Sequence, residues 1–112
     1  NGISVKISAK ASRDLEVSPQ DLVIVIANLF ENAIHALEKH KSKKKLIDIL
    51  IKSNAQRLLI KVENPCKNNL TFDETLYGVG IRSVIATTNK YEGMYDFTAE
   101  DGIFSAKISL NI

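Results

Sequence analysis

The stretch that most constrains this chain runs from Leu22 to Leu37. Apolar residues recur there at spacings of three and four, as Leu22, Ile26, Leu29, Ala33 and Leu37. An α-helix turns by about 100° per residue, so these side chains share one face. That face must be covered, and a sheet is the cover that fits. Asn28, Asn32, His35 and Lys39 fall together on a second, narrow stripe of the same helix. Asparagine is a poor mid-helix residue unless its amide finds a partner or water. The stripe is open to two readings. It is a polar edge facing solvent, or a row of ligands for a cation or for phosphates.

The flanking residues bound this helix. Ser18-Pro19-Gln20-Asp21 reads as its start: Ser18 caps, Pro19 suits the first helical position, and Asp21 closes a capping-box-like pattern at the positive end of the dipole. The helix is expected to run to about His40, where His40, Lys41, Lys43, Lys44 and Lys45 place cations at its negative end. Upstream, Ile3 to Ser8 alternates apolar and polar residues, the pattern of a half-buried strand, and Leu15-Glu16-Val17 is a candidate short strand. Downstream, Leu46–Lys52 and Leu58–Glu63 are rich in branched residues, and their short link predicts an antiparallel hairpin. Asn64-Pro65 is expected to break the second of them. Cys66 to Tyr77 is polar and without period, which reads as a mobile surface loop. A second helix is expected from Ile81 to about Asn89. Two closing strands, Tyr91–Phe97 and Ile103–Leu110, are joined by a turn at Glu100-Asp101-Gly102. Two helices are too few to cover both faces of such a sheet. The expectation is an α/β (α+β) two-layer sandwich: a mixed, mainly antiparallel sheet of about five strands with both helices on one face.

Composition excludes several classes. A chain of 112 residues holds one domain, and a net charge of +2 is too small to suggest nucleic acid as a partner. No apolar run reaches the roughly 20 residues that cross a bilayer. No signal peptide is evident and the chain opens almost directly into a strand, as a piece of something longer would. The single Cys66 precludes an internal disulfide and fits a reducing compartment. No base is set beside it by sequence, so a nucleophilic role is the lesser reading. The Lys run reads as a solvated loop, with docking to a partner helix or an anionic membrane as the alternative.

Three features remain: the Asn stripe, the strand end Val62-Glu63-Asn64-Pro65, and Gly78-Val79-Gly80 at a helix start. Glycines there let backbone approach a ligand, and the exposed N–H groups of a helix start suit a phosphate. A lone Gly-x-Gly is more often a turn or cap. The three features in this order, with the right elements between them, say much more than any one alone.

On these residues the chain resembles the GHKL (Bergerat) ATP-binding fold, shared by gyrase, the heat-shock chaperone, MutL and sensor histidine kinases. Asn28-Leu29-Phe30-Glu31-Asn32-Ala33-Ile34 is similar to its N box, and Gly78-Val79-Gly80-Ile81 to its second glycine box. Val62-Glu63-Asn64-Pro65 stands where the first glycine box belongs. Lys90-Tyr91-Glu92-Gly93 and Asp101-Gly102-Ile103-Phe104 resemble the end of the domain. The likeness is nearest to the compact domains of quorum-type receptor histidine kinases. It implies that residues 1–112 form a single ATP-binding catalytic domain of a longer receptor, soluble in itself and on the cytoplasmic side of a bacterial membrane.

The resemblance further implies ATP and Mg²⁺ as cofactors, with Asn32 holding the metal. Asn28 stands where ATP-hydrolysing members carry a water-activating Glu; an amide cannot accept that proton, which argues for transfer to a separate acceptor. Asn28 and Asn32 are thus the implied catalytic pair. His35, Asn64, Gly78, Gly80 and Ile81 join them in binding nucleotide, with Lys39 a looser phosphate contact and Glu31 on a different azimuth. The family's adenine-reading Asp-x-Gly is missing. Asn64 is taken as its replacement, with Glu63 as the alternative. The lid to Tyr77 is short, with only Phe72 and Tyr77 as aromatics, so loose nucleotide affinity is expected. The implied partners are a phosphoacceptor His domain of the same receptor and a response regulator. The rival readings are a serine kinase of the anti-sigma type and a degenerate module kept for protein contacts.

Overall fold

A computed structural model describes residues 2–10, 16–39, 45–66 and 80–112. Its elements in chain order are β1 (Ser4–Lys10), α1 (Pro19–Lys39), β2 (Leu46–Ser53), β3 (Arg57–Pro65), α2 (Gly80–Lys90), β4 (Met94–Glu100) and β5 (Ile103–Asn111). The five strands form one mixed sheet in the order β1-β2-β3-β5-β4. Only β1 and β2 run parallel; the other neighbours are antiparallel. The expected two-layer sandwich is the architecture found.

Alternation assigns the faces. Ile47 and Ile49 of β2, Leu58, Ile60 and Val62 of β3, and Phe104 to Leu110 at every second position of β5 are buried. They join Val25, Leu29, Ala33 and Leu37 of α1 and Ile81 and Val84 of α2 in one cluster, so both helices lie on the same side of the sheet. The buried stripe of α1 is shifted from the expected one: Leu22 and Ile26 are only half-buried, while Val25, Asn32 and Ala36 lie inside.

Local chemistry forms the turns. Asn54 Oδ1 accepts from the backbone N–H of Gln56 and Arg57, each at 2.8 Å, and closes the β2–β3 hairpin. Asp101 and Gly102 both have positive φ, 52° and 77°, the pairing that a two-residue hairpin turn of matched twist requires. At the end of α2, Glu92 N–H bonds Asn89 O at 3.0 Å and Gly93 N–H bonds Thr88 O at 2.9 Å. Glu92 sits between them at φ 51°, the geometry of a Schellman cap without the usual glycine.

Several expectations are corrected. Glu16 and Val17 are not in a strand, and Leu15, like His40 and the Lys run to Lys44, lies outside the described residues. Pro65 does not break β3: it pairs with Ile103 of β5, while pairing to β2 stops at Glu63. A proline is tolerated where one neighbour is missing. Tyr91 to Gly93 form the turn after α2, and β4 starts only at Met94. The β1 strand is exposed along its whole length, not half-buried, because it is the sheet edge and α1 packs over β3 and β2 instead. Asp21 does not answer Ser18; the backbone N–H of Ser18 donates to Tyr91 Oη at 3.1 Å.

Leu29 is 1% exposed beneath the centre of the sheet-facing stripe, whereas Val23 on the outer side of α1 is 63% exposed. Leu29→Ala is expected to lower the unfolding free energy by about 2–5 kcal/mol. Val23→Ala is expected to change it by less than about 0.5 kcal/mol in the same urea titration.

Candidate functional site

The topology brings the three sequence features to one end of the sandwich. Tyr91, just past α2, bonds through its backbone to Asn111 at the end of β5, and Asn111 pairs with Arg57 at the start of β3. Helix α2 therefore ends where β3 begins, and its first residue, Gly80, lies toward the other end of β3, where Asn64 is. Asp21 in the first turn of α1 bonds Lys90 and Tyr91, so α1 also runs toward that end. Asn28 and Gly80 meet there, and Asn32 and Asn64 are both buried. Gly78 and the polar segment to Tyr77, including Phe72, lie outside the described residues.

Asn28 is half-buried and turns its Nδ2 back to Ile24 O, one turn earlier, at 2.7 Å. This fixes its Oδ1 against Gly80. A Cβ on Gly80 would lie 2.8 Å from Asn28 Cγ and closer still to Oδ1. The first residue of α2 must be glycine for the two helices to meet here. One turn on, Asn32 is 3% exposed, a carboxamide inside the sandwich on the same stripe.

Asn64 has the most telling environment. It follows Leu58, Ile60 and Val62 on the helix-facing side of β3 and is 2% exposed. Its Nδ2 donates to Pro65 O at 2.9 Å. Its Oδ1 is buried and accepts no hydrogen bond among the described residues. A buried acceptor left so costs about 1–3 kcal/mol unless something supplies a donor. Glu63 points to the opposite face, beside Lys61 at 3.8 Å. A hollow of about 400 Å³ at this end of β3 is lined by Asp48, Glu63, Asn64, Pro65, Asp101 and Ile103 among others. Its carboxylates repel anions, so phosphates do not belong there.

Other expected residues lie apart. His35 and Glu31 are exposed and stand 3.9 Å from each other on the outside of α1. Lys39 is exposed at the helix end. Ile81 is a core residue, 6% exposed. Cys66 follows β3, half-buried against the core, and burial pushes its thiol above the usual range. The thiolate a nucleophile needs is therefore suppressed at neutral pH. The sequence reading missed the Asn28–Gly80 contact and the bonds of Asp21. The signal for the second was present: Asp21 precedes Asn28 by seven residues, close to two full turns, so it belongs to the same stripe.

Comparison with known proteins agrees with this architecture. Residues 17–111 match a family model described as the GHKL domain. No curated protein matches the chain. Among solved structures, the Acinetobacter baumannii histidine kinase AdeS superposes with a TM-score of 0.71 at 16% identity, covering 96% of this chain and 54% of that one. The catalytic domain of histidine kinase ThkA superposes with a TM-score of 0.65 at 12% identity, covering 96% and 79%. The chain thus spans about half of the AdeS chain. Among the described residues no helix is long and apolar enough to cross a membrane.

Two outcomes follow from the geometry. Gly80→Ala is expected to cost about 1–3 kcal/mol by overpacking, and Asn28→Ala in the same chain should recover most of it in a double-mutant cycle. Cys66 has its thiol pKa raised by burial, so its alkylation by iodoacetamide at pH 7 should be slower than that of an unfolded-chain control. The gap should close as pH rises past the raised value.

Proposed function

The chain belongs to the GHKL family, and on that premise we propose that it is the ATP-binding catalytic domain of a sensor histidine kinase. In this reading it is one domain of a longer receptor. It binds Mg²⁺·ATP between α1, the end of β3 and the start of α2, and donates the γ-phosphoryl to a His on a separate domain. That domain, and a response regulator downstream, are the proposed partners. Both solved structures compared above are histidine kinases by name.

The observation that carries the reading is the unanswered Oδ1 of Asn64. The adenine amino group is a donor of the right kind for it. Because Nδ2 is held by Pro65 O, the oxygen is the end left to meet a base. Asn32 supplies a buried carboxamide oxygen, the hard ligand type that Mg²⁺ accepts alongside phosphates and water. Asn32 would hold the ion, which would supply neutralisation of the phosphate charge during transfer. Asn28 closes the wall against Gly80 and offers no base. The chain's part is then to hold the nucleotide and keep water unactivated, so that phosphoryl leaves only for a presented acceptor. His35, exposed on the outer side of α1 beside Glu31, is open to a phosphate only from solvent. Gly78 would line the phosphates with Gly80.

Calorimetry with Mg²⁺ and a non-hydrolysable ATP analogue tests this. Binding heat is expected below millimolar nucleotide, with the GTP analogue weaker because its carbonyl faces Asn64 Oδ1 acceptor to acceptor. Asn64→Leu should weaken ATP binding about tenfold, the scale of one buried hydrogen bond. Asn32→Ala should remove the Mg²⁺ dependence. Absence of heat at millimolar analogue would leave the protein-contact module as the better reading. Acid-stable phosphate on an acceptor would favour the serine kinase.

A further inference from the structure

Helices α1 and α2 pack antiparallel and are joined by polar contacts at both ends. At the site end, Asn28 meets Gly80. At the far end, Asp21 Oδ2 accepts from Lys90 Nζ at 2.8 Å and from Tyr91 Oη at 2.6 Å. Tyr91 Oη in turn accepts the Ser18 N–H at 3.1 Å. Asp21 is only 8% exposed, an unusual depth for a carboxylate. Donation by Lys90, then by Tyr91, holds its carboxyl below the ordinary range.

The far-end contacts are not needed to cover apolar surface. Ile81 and Val84 of α2 already do that, and apolar packing is non-directional, so it fixes the position of α2 along α1 weakly. Thr88, fully buried beside them, bonds Val84 O within its own helix at 2.7 Å. Among the described residues, directional side-chain bonds tie the start of α1 to the end of α2 at Asp21. Lys90 is 63% exposed, and an exposed ion pair is heavily screened. The short Tyr91 O–H bond is the more position-specific of the two. The backbone of Tyr91 is also tied to the sheet, through Asn111 N–H to its carbonyl. Asp21 thus couples the start of α1 to the turn just past α2, which the sheet holds through Asn111.

We infer that Asp21 is a positioning residue for the nucleotide site. Through Tyr91 and Lys90 it sets the register of α1 against α2, and so the seat of Asn28 against Gly80 about 10 Å away, the rise of seven helical residues. Its consequence for ATP rests on the function proposed above; its consequence for the Asn28–Gly80 contact does not.

The test separates the two. ¹⁵N spectra of the 112-residue chain without nucleotide, recorded well below the melting temperature, follow the Gly80 N–H and the Asn28 side-chain amide. Asp21→Asn and Tyr91→Phe should shift both signals and leave the Asn64 side-chain amide in place. Tyr91→Phe removes a single hydroxyl and keeps the ring, so it serves if Asp21→Asn does not fold. Lys90→Met should have the smaller effect. In parallel, the Kd for the Mg²⁺·ATP analogue should weaken about tenfold in Asp21→Asn and Tyr91→Phe, the scale of coupling carried between distant sites. A merely structural role would lower Tm and leave the two signals and the Kd of the folded variants unchanged, which overturns the inference. Shifted signals with unchanged Kd overturn the nucleotide role of Asp21. If the parent binds no nucleotide, the kinase reading fails, and the spectra still decide the positioning role.

Discussion

Helix α1 has to satisfy two environments at once. One side of it packs on the sheet through Val25, Leu29 and Leu37, and an adjoining edge carries Asp21, Asn28 and Asn32. A roll of the helix that improved one side would spoil the other, because each residue advances the azimuth by about 100°. Only one rotation buries the apolar stripe and also brings Asn28 onto Gly80 and Asp21 onto Tyr91. The placement of α2 and the choice of glycine at position 80 both depend on that rotation.

What the sequence shows plainly is what is locally determined. The Pro19 helix start, the β2–β3 hairpin and the Asp101-Gly102 turn each follow from residues within a few positions of one another, and each forms. The errors come where a distant partner decides. Pro65 stays in its strand because β2 is already absent beside it. Ile3 to Ser8 alternates as a buried strand would, yet β1 is exposed because no helix reaches the edge. Ser18 and Asp21 have the spacing of a capping pair, but Tyr91, seventy residues on, accepts the Ser18 N–H in place of Asp21 and donates its own hydroxyl to Asp21.

The site was legible to a similar extent. Asn28 and Gly80 stand out by type and spacing, and they meet; Asn32 is buried one turn on. The choice between Glu63 and Asn64 was open to a parity count: Leu58, Ile60 and Val62 face the core, so residue 64 does and residue 63 does not. His35 stands about 60° from Asn32 around the helix, enough to turn it outward, while Ala36 and Leu37 beside it stay buried. Identities of 12–16% to structures of the same fold make a related point: these chains share a pattern of inside and outside, and little else.

The single parallel pairing has a consequence for how the molecule breathes. The margin strand β1 holds one neighbour only, and its Val5 and Ile7 are 43% and 63% exposed. Little solvent-shielded surface is lost if it peels away, while the other four strands keep an unbroken antiparallel ladder beneath both helices. The Lys6 and Lys10 side chains discourage foreign strands from docking during such excursions. The fold thereby separates a labile fringe from a stiff centre, and Asn28, Asn64 and Gly80 all lie on elements of the centre.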